Sequence, residues 1–174
     1  MPHFDHTLVL PVAPSDWAPP PSGLVVDGVR LEPKDELHVT LVGGRLGAEL
    51  RRTLGAQRAS REVDAVFRRL DWSFSRTGRC LLLRKPFRDG GRQRLAHSVI
   101  ECIEMPAMAP FHRALGQLLG RELPVPPSHV TLYVAGKDQG IGVPDRRRLR
   151  AWTVRMLGAG EPAPRPTAAA AHHG

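Results

Sequence analysis

An α+β fold, two-lobed and built from largely antiparallel sheets, is what this sequence predicts. Three observations carry the prediction. Apolar runs of strand length recur along the chain and are closed by Gly, Pro or Asp-Gly. Neighbouring runs are joined by hairpin signals, which call for antiparallel pairing. Other segments repeat their apolar residues at i, i+3, i+4 and i+7, the spacing of a half-buried helix.

In order, His6 to Val12 reads as a first strand, with Pro11 marking an end or an edge. Pro14 to Gly23 is too proline-rich for a helix and reads as a surface connection. Leu24 to Leu31 is broken by Asp27-Gly28, a hairpin turn. Glu36 to Val42 is a strand that Gly43-Gly44 ends. Leu46, Leu50 and Leu54 predict one helix; Val63, Val66, Phe67 and Leu70 predict a second, capped by Ser60. Their arginines, among them Arg51, Arg58, Arg61 and Arg68, suit a solvated face. Trp72 to Ser75 reads as a short strand. Gly78 to Pro86 and Leu95 to Glu104 read as a hairpin around an Asp-Gly turn. Met108, Phe111, Leu115, Leu118 and Leu119 mark a helix that Gly120 ends. His129 to Ala135 is a strand closed by Gly136, and Asp145 caps a last helix with Leu149, Trp152, Met156 and Leu157 on one face. Residues 1–157 read as a single bilobal domain with its helices on the outer faces, and 158–174 as a disordered Ala/Pro/Gly-rich tail ending in His172 and His173.

At 174 residues and 41% apolar composition the chain has material for a core, which excludes wholesale disorder. No apolar run approaches the ~18 residues of a membrane helix, and no secretory pattern is visible. A soluble, cytoplasmic monomer is expected. Cys80 and Cys102 lack metal-ligand spacing and suit small apolar strand positions, so neither a zinc site nor a disulfide framework is expected. The net charge is +8, and Arg greatly outnumbers Lys. Guanidinium groups match phosphate with paired donors, so nucleic acid or nucleotides are natural partners.

One feature rises above this background. The tetrapeptide His-Val-Thr-Leu occurs twice, at His38-Val39-Thr40-Leu41 and His129-Val130-Thr131-Leu132, each in a predicted strand. Alternation puts His and Thr on one face, about 6 to 7 Å apart, with Val and Leu on the other. Two such strands side by side would gather two imidazoles and two hydroxyls around one small space. Imidazole titrates near neutrality, so one ring can take a proton while the other gives one. Hydroxyls can hold anionic oxygens. The set suffices for in-line displacement at a phosphodiester without a metal.

In these motifs the chain resembles the two-histidine phosphoesterase superfamily, whose members include 2'-5' RNA ligases and cyclic nucleotide phosphodiesterases. Its hallmark is a pair of His-x-Thr/Ser-x motifs, one per lobe of a two-lobed α+β fold, facing each other across a central cleft. The resemblance spans roughly Phe4 to Gly136 and is weak outside the motifs. Members often carry Pro directly before the second His, where this chain has Ser128 after Pro127. A helix commonly follows the first strand, where this chain has its Pro-rich stretch. The resemblance implies cyclic phosphodiesterase or 2'-5' RNA ligase-like chemistry on RNA ends or small cyclic nucleotides. His38 and His129 would be the acid–base pair and Thr40 and Thr131 the phosphate holders, with neither metal nor cofactor.

Tyr133 continues the alternation from His129 and Thr131 and is expected to contact the phosphate or a base. The basic hairpin tip, with Arg88 and Arg92, is expected to guide an RNA tail. His6, on the first strand, could face the cleft but reads rather as a surface or core residue, while His97 and His112 read as a strand-end residue and a polar-face helix residue. The alternatives are a non-catalytic RNA-end or nucleotide-binding module using the same cleft, and a scaffold whose histidines merely fill its core.

Overall fold

The computed structural model describes residues 1–158 and Glu161. The fold is α+β, with four helices and two antiparallel sheets among the described residues. Strand β1 (Leu8–Pro11) pairs with β4 (His38–Val42) in a two-stranded sheet. The second sheet has six strands in the order β2-β3-β7-β6-β5-β8. These are β2 (Leu24–Val26), β3 (Val29–Pro33), β5 (Ser75–Asp89), β6 (Arg92–Glu104), β7 (His129–Ala135) and β8 (Thr153–Met156). The β2–β3 turn has positive φ at both Asp27 (51°) and Gly28 (77°), the conformation that matches strand twist.

Helices α1 (Gly44–Leu54), α2 (Ala56–Arg68) and α3 (Met108–Leu119) pack with the sheets around the larger core. That core holds Val39 and Leu41 of β4, Val130 and Leu132 of β7, and Leu50, Val63, Phe67, Phe111 and Leu115 of the helices. A smaller core lies on the opposite face of the six-stranded sheet. There Leu81, Leu83, Ala96, Ile100 and Cys102 are covered by Ile141 and Val143, with Leu149 and Trp152 of α4 (Arg146–Trp152) packed against them. No helix among the described residues is long and apolar enough to cross a membrane.

Local chemistry departs from expectation in four places. Ser60 does not cap α2. The break between α1 and α2 is Gly55 alone, at φ 80°, so Ser60 sits inside the helix and donates to the Phe4 carbonyl at 2.9 Å. Trp72 to Phe74 is not a strand; the Trp72 indole donates to Phe67 O, and the two rings stack. The long hairpin turns through Gly90-Gly91, both at positive φ, with Asp89 paired to Arg92 before the turn. Asp145 does cap α4, its Oδ1 accepting from Arg148 N at 2.7 Å. The helix nevertheless stops at Trp152, where β-branched Thr153 and Val154 open β8 against β5. Of the tail, Gly158 and Glu161 are described. Glu161 pairs with Arg155, which also holds Asp27, and this drives its carboxyl down to about 2. The other tail positions, His172 and His173 among them, lie outside the described residues.

Candidate active site

The two motif strands belong to different sheets yet lie against each other. The link between them is short. Strand β3 runs antiparallel beside β7 as far as Pro33, opposite Tyr133, and the Lys34 amide still donates to Leu132 O at 2.8 Å. The chain then continues through Leu37 into β4, which arrives beside the strand it has just left. Val39 and Leu41 are 1% exposed and Val130 and Leu132 at most 1%, all in the same core. Pleating therefore turns His38 with Thr40, and His129 with Thr131, away from that common core.

Both copies of the motif also bend alike. On β4 the register passes from Thr40↔Val9 to Val42↔Leu8, which leaves Leu41 as an extra residue. On β7 it passes from Thr131↔Ile100 to Tyr133↔Val99, which leaves Leu132 extra. Each is a β-bulge at the motif leucine. A bulge shifts the alternation by one, so the residue after the leucine turns inward. Val42 (0% exposed) and Tyr133 (3%) both do so. The expectation that Tyr133 shares a face with His129 and Thr131 is thus corrected. Tyr133 lies in the larger core, where burial first and neighbouring Cys80 second raise its pKa.

The imidazoles are half-buried, and each is displaced below the ordinary histidine range. For His38 burial is the main cause; the Lys34 ammonium adds to it and Glu36 opposes it. For His129 burial again leads, a hydrogen bond to backbone opposes it, and the His38 charge lowers it further. His129 therefore senses the charge of His38. His129 Nδ1 lies 2.8 Å from Pro127 O, so the neutral ring donates there and keeps its lone pair on Nε2. Behind β4, His112 of α3 is buried rather than on a polar face. Its Nε2 donates to Leu41 O at 2.9 Å, while Nδ1 has no partner, and burial lowers the ring to about 4. That neutral ring ties the first motif strand to the helix beneath it. His97 lies in mid-strand opposite Ala135, not at a strand end.

Two cations flank the motif face without having been anticipated. Lys34 is felt at His38 and donates to Asp138 O at 3.0 Å. Arg79 reaches Cys102 Sγ at 3.4 Å, and Cys102 is the register partner of His129. Lys34 lies four positions before the first motif, a signal within reach of the sequence. Arg79 is placed by the irregular stretch between Arg76 and Cys80, which spacing could not show. A cavity of about 490 Å³ lies along the N-terminal segment and β1. It is lined by His6, Val9 and Pro11 among others, and Val9 and Pro11 pair with Thr40 and His38. Cys80 and Cys102 are free and buried, and among the described residues no three of His, Cys, Asp and Glu gather as a metal site would need.

The hairpin tip does not join this site. Arg92 shares the face of Cys102 and His129, but ten positions along β6 (102 − 92), about 30 Å away. Arg88 pairs with Gln93 on the opposite face. Neither lies beside the motif residues. Compared with known protein families, with characterised proteins and with solved structures, the chain matches none.

Proposed function

We propose that the chain is a metal-independent phosphoesterase that hydrolyses, or transesterifies, cyclic or 2'-5' phosphodiesters on RNA ends or nucleotides. The observation that carries the reading is the meeting of two identical His–Thr pairs. They come from strands of different sheets that lie against each other, face away from one core, and stand close enough that the His38 charge is felt at His129. In a hydrolysis, one imidazole takes a proton from water, whose oxygen bonds to phosphorus. The ester P–O bond on the far side breaks, and the other imidazole gives its proton to the leaving oxygen. Thr40 and Thr131 donate to the non-bridging oxygens, and Lys34 and Arg79 offset the charge from either flank. The Pro127 carbonyl fixes which His129 nitrogen faces the reaction. The motif resemblance to the two-histidine phosphoesterases supports this reading, and no matched family adds to it.

The test is a panel of 2',3'-cyclic and 2'-5' nucleotides in excess chelator, with wild type, His38→Ala and His129→Ala. Turnover by wild type and a loss of about 10²- to 10⁴-fold in either variant is expected. Both rings sit below the usual imidazole value, so kcat/KM should peak below about pH 6.5. Binding that both variants weaken, with no product formed, would leave the non-catalytic module instead.

A further inference from the structure

The chain has three lysines, and all three stand in one file leading away from the motif face. Lys34 is felt at His38 and is bonded to Asp138 O. Lys137, the residue just before Asp138, lies 5.7 Å from the Phe87 ring centroid. Lys85 lies 4.4 Å above Trp152, and Arg148 approaches the same ring at 5.6 Å. Lys85 pairs with Ala96, so it shares the sheet face of Ile100, Cys102 and their partners Thr131 and His129. The loop that carries Lys137 also touches the motif, since a Cβ at Gly140 would meet the Thr131 methyl at 3.3 Å. None of the three lysines, nor Arg148, makes a salt bridge among the described residues. Burial, and after it the charges of Lys137 and Arg148, push the Lys85 ammonium down. Like charges held together on aromatic rings, none of them in an ion pair among the described residues, are arranged for a polyanion.

We propose that this file of Lys34, Lys137, Lys85 and Arg148 is a track for the phosphate backbone of single-stranded RNA. Six residue steps along β6 (102 − 96), about 20 Å, separate the Lys85 row from the His129 row. That span suits an extended strand and exceeds one nucleotide. Cations at separate stations with aromatic rings among them fit single-stranded nucleic acid better than a flat anionic membrane. Docking on the track does not require turnover; only its use in delivering a phosphodiester end rests on the phosphoesterase reading.

The test is fluorescence anisotropy of a labelled single-stranded RNA of about eight nucleotides with an ordinary 3'-hydroxyl. The full chain would be titrated at several salt concentrations. Lys85→Gln, Lys137→Gln and Arg148→Gln should each weaken binding several-fold. Each should also flatten the plot of log affinity against log salt by about 0.7. Arg58→Gln and Arg61→Gln on α2 should change neither. Hydrolysis of a cyclic mononucleotide, which does not extend past Lys34 to the rest of the track, should persist in these three variants. Failure of wild type on mononucleotides would sink the phosphoesterase reading and leave the track standing. An unchanged affinity and slope in the triple variant would overturn the track. Capture by anionic phosphatidylserine vesicles that the RNA does not compete away would overturn it equally.

Discussion

A single side chain, His112, shows how the first motif strand is anchored. Its ring is 2% exposed and bonded through one nitrogen to Leu41 O. The other nitrogen has no acceptor, so protonation would bury an unpaired charge. In the unfolded chain the ring titrates near 6.5, and in the fold at about 4. Between those values the unfolded state binds the extra proton. Stability from this group is therefore complete above about pH 6.5 and is lost as pH falls toward 4, by about 3 kcal/mol in all. The urea midpoint of His112→Leu should depend on pH less steeply across that window than the wild-type midpoint does. Equal slopes would show that the ring protonates freely in the fold.

Strand β7 ends at Gly136, where φ is 78° and an added Cβ would fall 2.3 Å from Leu95 O. Gly136→Ala meets both the strain of the left-handed region and a backbone clash. It should destabilise the fold by about 2 kcal/mol or more, read from thermal unfolding. Elements of this kind were legible before any coordinates. Gly136, Gly120, Asp145 and the Asp27-Gly28 turn are all local signals, decided within a few residues. The inward face of each motif was legible too, because alternation alone buries Val39, Leu41, Val130 and Leu132. What escaped depends on partners distant along the chain. The bulges are set by register against β1 and β6, so alternation alone puts Tyr133 on the wrong face. The burial of His112 is set by β4, some seventy residues earlier (112 − 41 = 71). The end of α4 followed from pairing with β5, which outweighs continued helical spacing over so short a segment.

Across the whole molecule, the Pro-rich connection is tied to the large sheet by an arginine. Trp17 is 6% exposed, and the Arg76 guanidinium lies 3.8 Å from its ring centroid. The same guanidinium makes a two-pronged pair with Glu101, at 2.8 and 2.9 Å, and Glu101 is 1% exposed. Arg76→Met would strand a buried carboxylate and release the stacked ring together. A loss of about 3 to 5 kcal/mol is expected from chemical denaturation. A loss within about 0.5 kcal/mol would mean that the pair is no better than an exposed one.

The twin kinks after Thr40 and Thr131 have a consequence for what can rest between the two strands. Each strand offers a ring and a hydroxyl and then turns its next side chain to the interior. A guest seated there meets four polar tips and an abrupt hydrocarbon boundary, so a compact, many-oxygened centre is satisfied while a long polar one must bend away sideways. Moving either kink by one residue would alter that quota without changing a letter of the tetrapeptide.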